Sequence, residues 1–293
     1  MVSRVGLSAL IHKVKCVFWY FVGQDFCHQS YRSVVLIAVF TTSTNQTNAT
    51  LAGSATLIAC AFAMITFDRW QIRGQSHDLA WTIAMILFAV GSLALWWAET
   101  TGWTLFIFKI FFVSGAVLNV AWLALGTIYL LTSKTTGDRV RKYLTSLSTF
   151  SIGVVLIAPA KQEIIDGEFP SARQLFGVTP RVLAAVGSGV PALIIIFGAL
   201  WSTFRVIRKA SPTISQKNVR FVKSPKRLAL GNVLVATGTL VLSASGSFAG
   251  RFGKDRAFAV TLLVGLCILF SGFLVASNSS RMNSKDDSAF RDG

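Results

Sequence analysis

Two long apolar segments, Leu79 to Trp103 and Trp103 to Thr132, are separated only by the polar tetrad Glu99-Thr100-Thr101-Gly102. Each exceeds the roughly 20 residues that cross a ~30 Å hydrocarbon core at about 1.5 Å per residue. Four polar residues cannot hold a soluble domain between them, so the pair reads as a tight transmembrane hairpin. Further apolar segments follow, and the fold expected is an all-α, polytopic transmembrane helix bundle. Seven spans are expected, at 51–67, 79–98, 103–132, 144–160, 181–204, 228–248 and 257–277, with six or eight as neighbouring counts. The first is short, the fourth opens on Ser and Thr and ends at Pro159, and the third is long enough to tilt.

Composition agrees with lipid as the solvent. Only 14% of the residues are charged and 53% are hydrophobic, against about 25% charged in soluble domains. The net charge of +16 would suit nucleic acid, but its placement between apolar segments marks orientation signals and contacts to anionic headgroups, so no nucleic-acid partner is expected. Seventeen Lys and Arg follow the odd-numbered spans and 10 lie on the opposite side, with Lys109 counted on neither. The positive-inside rule then puts the N-terminus outside and the C-terminus in the cytoplasm of a plasma-membrane protein.

Three regions follow: an interfacial or disordered extension at 1–50, the helix bundle at 51–277 and a cytoplasmic polar tail at 278–293. In the extension, Val17 to Val22 and Val34 to Phe40 are too short to span, and 41–50 is a polar, turn-rich spacer. The extension reads as an interfacial helix, a disordered tail, or residues ahead of a later true start. It lacks the single apolar run of a cleaved signal peptide. Asn45 and Asn48 begin N-x-[ST] triplets. Of the four cysteines, Cys60 and Cys267 sit in apolar runs, and Cys16 and Cys27 lack metal-ligand spacing; a disulfide between them requires an outside N-terminus and is the lesser expectation.

Polar residues inside spans are the functional candidates, because each is costly in lipid unless partnered. Asn119, mid-way along the third span, is either interhelical glue or a solute contact. Lys109 is placed to snorkel outward and pair with Glu99 at the interface. Trp81, Trp96, Trp97 and Trp103 fit the aromatic belts, whereas Trp122 is mid-span. Gly115 and Gly126 in the third span, with Gly231, Gly238 and Ser245 in the sixth, suit close helix packing. Pro191, after Gly187 and Gly189, makes the fifth span the one to bend. The external loop at 161–180 has room for a small lid, although a solvated connector is the plainer expectation.

Recognisable chemistry is missing. His12, His28 and His77 lie outside the strong spans, which removes an intramembrane bis-His haem and a Ser/His dyad. No aspartate pair, H-E-x-x-H, retinal lysine, P-loop or dinucleotide fingerprint is present. His77-Asp78 has only a superficial likeness to a metal pair, since an Asp at a helix start is explained by capping. No cofactor, metal or catalytic residue is expected.

The stretch from Trp97 to Leu131 carries Gly102-Trp103, the aromatic run Phe106 to Phe112, Gly-Ala-x-Leu-Asn at Gly115 to Asn119, and Leu-Gly-Thr-x-Tyr-Leu-Leu at Leu125 to Leu131. This stretch resembles a segment of uncharacterised multi-pass membrane proteins of actinobacteria. It departs from them at Lys109, where arginine is commoner, and at Ala121, where proline is. The resemblance covers 35 of 293 residues; it implies a plasma-membrane protein of roughly seven helices and carries no activity.

Two functions remain in view. A non-enzymatic structural or accessory protein rests on the packing glycines and on the loop at 205–227, which holds eight Lys and Arg and no acid. Its Lys217, Arg220, Lys223, Lys226 and Arg227 would meet anionic lipid or an acidic partner, a second membrane protein or another copy of the chain being the partners expected. A permease for a neutral or lipidic solute would instead line its path with Asn119, Pro191, Asn232 and Thr237. An enzyme acting on lipid lacks a catalytic constellation.

Overall fold

The computed structural model describes residues 44–164, 169–209, 230–231, 233–243 and 255–281. Its elements are all helical: α1 (Thr44–Arg73), α2 (Ser76–Thr101), α3 (Leu105–Leu131), α4 (Lys134–Ile157), α5 (Val178–Lys209), α6 (Val233–Ser243) and α7 (Asp255–Arg281). Among the described residues, six of these are long and apolar enough to cross a membrane, and α6 is a shorter apolar helix. The chain is a multi-pass integral membrane protein.

α1 and α2 form the tightest pair. Ala52, Ala55, Ala59 and Ala63 of α1 and Ala80, Ala84 and Ala98 of α2 are buried, and small side chains let the two backbones approach closely. Two hydroxyl bonds cross this seam, from Thr56 to Ser92 and from Thr82 to Thr66, each 3.0 Å. The turn between them uses Gly74 at φ 63°, and the α2–α3 turn uses Gly102 at φ 97°, a region where a Cβ is disfavoured. Thr104 opens α3 and Ser133 opens α4 by accepting a backbone N–H three residues on. The elements therefore alternate between a hairpin end (102–104 and 158–177) and a basic end (74–75 and 132–133).

Several helices extend beyond their apolar cores. α1 begins at Thr44 rather than after the polar spacer expected at 41–50, and Thr47 and Asn48 are buried. Asn48 is thereby withdrawn from the surface that its N-x-[ST] triplet suggests. α4 begins at Lys134, ten residues ahead of the expected span, because Ser133 caps a polar first turn that hydropathy alone ignores. α7 continues to Arg281, into the stretch expected as tail. Most of residues 1–50, the loop around 217–227 and the final residues lie outside the described part of the chain.

Glycines set the remaining contacts. A Cβ on Gly238 would meet the Leu269 backbone at 2.6 Å, and one on Gly272 would meet the Gly231 carbonyl at 2.8 Å. The expected small-residue packing of the sixth segment thus joins it to α7. Trp81 lies across Gly126 and stacks edge-on against Phe273. It ties α2, α3 and α7 together. Trp122 donates to Ser148 at 3.3 Å, linking α3 to α4.

Candidate functional site

α3 is not a uniform α-helix. From Phe112 to Leu118 it widens into a π-helical stretch, and the Asn119 N–H bonds to the Ser114 carbonyl five residues back. Such stretches are rare and concentrate at functional sites. Two glycines flank this one: a Cβ on Gly91 would lie 3.1 Å from Ser114 Oγ, and one on Gly187 would lie 2.7 Å from the Val117 carbonyl. α2 and α5 thus press on the widened turn from two directions.

Beside it, at the hairpin end, lies a cavity of about 480 Å³, inside the ~300–1,000 Å³ range of ligand pockets. Phe108, Phe111 and Phe112 of α3 give it an aromatic wall, completed by Phe169 of the α4–α5 loop and Phe258 of α7. Phe111, Phe169 and Phe258 contact one another, with ring centroids 5.4 to 5.9 Å apart. Gly115 opens onto the cavity, with nothing within 4 Å of where its Cβ would be.

The polar lining is sparse. Asn119 is only 6% exposed, and its Oδ1 is buried without a hydrogen-bond donor. Ser243 Oγ is in the same condition, whereas Ser188 and Ser92 bond back to their own helices. Arg173 and Arg181 line the cavity from the loop and from the first turn of α5, and both are exposed.

The loop over the cavity is more than a solvated connector. Ser171 starts a one-turn helix, Ala172–Leu175, and Leu175 and Phe176 are fully or almost fully buried. Phe176 packs on Phe108 and Phe112 at 5.5 and 5.1 Å, and the Lys161 N–H bonds to the Leu175 carbonyl at 3.0 Å. Apolar residues in an otherwise acidic stretch were the available signal.

Of the expected path residues that the structure describes, Asn119 lines the cavity and Pro191 and Thr237 do not. Pro191 is inside α5, one turn beyond Ser188, and does not reach it. Thr237 faces outward from α6 and donates to the Val233 carbonyl. Asn232, like Lys217, Arg220, Lys223, Lys226 and Arg227, falls outside the described residues.

Two other polar groups depart from expectation. Lys109 is 9% exposed, and its Nζ donates to the Leu156 carbonyl at 2.7 Å instead of pairing with Glu99. Leu156 belongs to the last turn of α4, where carbonyls lack intrahelical partners and the dipole favours a cation. At the basic end Asp78 is fully buried, with Arg69 Nε at 3.4 Å and His77 at 3.7 Å. It links α1 to α2 rather than capping in solvent. Among the described residues no group of three or more His, Cys, Asp or Glu is arranged to hold a metal. No family model matches the chain, and no curated protein or solved structure matches it either.

Proposed function

We propose that the chain is a non-enzymatic plasma-membrane protein that takes a lipidic solute into the hairpin-end cavity, the binding step of a permease. The observation that carries this reading is the aromatic cavity beside the π-helical turn with a buried, unmatched Asn119 carbonyl. An apolar wall rewards an acyl or similar chain by removing it from competing contacts, and a fixed amide selects what polar group accompanies it. With the N-terminus outside, the cavity opens on the outer leaflet.

Gly115→Phe fills the cavity from a position where a Cβ meets nothing. Protein purified in nanodiscs is expected to retain a lipidic species by mass spectrometry. Gly115→Phe should lose it at an unchanged unfolding midpoint, and Asn119→Ala should retain less. Equal retention by wild type and Gly115→Phe overturns the reading.

The accessory role keeps one observation. α4 and α5 are the least buried of the long helices, leaving Phe150, Ile157, Phe197 and Trp201 exposed to lipid or to a neighbouring protein. A stoichiometric partner after mild extraction would favour that role.

A further inference from the structure

We infer that the guest of the hairpin-end cavity is an anionic amphiphile, its phosphate or carboxylate head held by Arg173 and Arg181 and its chain laid along the phenylalanine wall. This rests on the reading of the cavity as a lipidic-solute site.

Three features of the cavity mouth converge on a negative head. Arg173 and Arg181 come from different segments, yet both line the same space, and among the described residues neither guanidinium is engaged by a carboxylate. A guanidinium without a partner offers its fork of donors to an oxyanion. Arg181 also sits in the first turn of α5, which has no acidic residue. The helix dipole makes that end positive and disfavours a cation. Among the described residues that line the cavity, no acidic side chain accompanies the two guanidiniums and the helix N-terminus, and an anion relieves all three.

Depth supplies the second half of the argument. A site for a free anion would be polar throughout, but behind the arginines this cavity turns aromatic, with Phe111, Phe112 and Phe258 on its wall. Among the described lining residues, Ser92 and Ser188 spend their hydroxyls on their own helices, whereas Asn119 Oδ1 and Ser243 Oγ are buried oxygens without a hydrogen-bond partner. The sequence of charge, apolar wall and isolated acceptors matches a head followed by a chain, with a hydroxyl or amide on the guest able to meet Asn119.

The test uses the full chain in detergent and native mass spectrometry with three probes: 1-oleoylglycerol 3-phosphate, 1-oleoylglycerol and inorganic phosphate. The phosphate lipid is expected to bind about tenfold tighter than 1-oleoylglycerol. In the Arg173→Gln/Arg181→Gln double variant that preference should fall to within about twofold, with an unchanged unfolding midpoint as the check on folding. Arg173→Lys/Arg181→Lys should keep most of it. Gly115→Phe should abolish binding of both lipids, which separates a cavity guest from a surface headgroup contact. Equal binding of the two lipids by the wild type overturns the anionic head and leaves the lipidic-solute reading standing. Inorganic phosphate displacing the phosphate lipid at equal concentration overturns the chain's part in recognition. Binding of neither lipid overturns both readings together.

Discussion

Lys109 finds its partner on a helix end, 47 residues further along the chain, and its position near the start of α3 gave no hint of that acceptor. A sequence places a lysine at a depth; it does not say which helix terminus will be brought beside it. Removing the ammonium by Lys109→Met leaves the Leu156 carbonyl without its donor. That should lower unfolding stability by about 1–3 kcal/mol, read as a reduced denaturation midpoint in detergent. No change would mean that water already serves the α4 terminus. Asn119 was legible from sequence because an amide amid apolar residues is conspicuous. Arg173 and Arg181 were not, since they differ in no local respect from other basic residues of the connections. Asp78 was visible as a helix-start residue, but its complete burial depends on α1 packing over it.

At the scale of elements, apolar length located the six long helices and placed their ends poorly. Hydropathy measures the stretch that lipid accepts, whereas the helix runs on until a cap, a glycine or a turn stops it, as at Ser133 and Gly102. The π-helical turn left no trace in the sequence, because a change of hydrogen-bond register alters neither composition nor apolar periodicity enough to read. Its consequence is testable through the two glycines of α5 that precede Pro191. Gly187→Ala puts a methyl 2.7 Å from the Val117 carbonyl. It should cost about 1–3 kcal/mol and reduce retention of the guest. Gly189→Ala, with nothing within 4 Å of its Cβ, should leave both unchanged. Equal effects from the two substitutions would remove the close approach of α5 as the cause.

For the whole molecule, the membrane class was readable from two segments alone, because no soluble fold accommodates them. The cavity was not readable, since α2, α3, the α4–α5 loop, α5, α6 and α7 each supply a part and no single stretch contains its pattern. The two-sided distribution of Lys and Arg makes the topology an expectation that one fusion decides. A reporter active only in the cytoplasm, joined after Lys209, should be active; a well-expressed but silent fusion would invert the bundle and turn the cavity toward the cytoplasm. The bond between Lys109 and the end of α4 also has a meaning in time. During synthesis α3 leaves the ribosome carrying an ammonium whose acceptor has not yet been made. A charge within a span is costly until it is partnered, so α3 is expected to settle only when α4 has followed it, and a chain cut short before Lys134 should hold α3 in the membrane less firmly than one that includes α4.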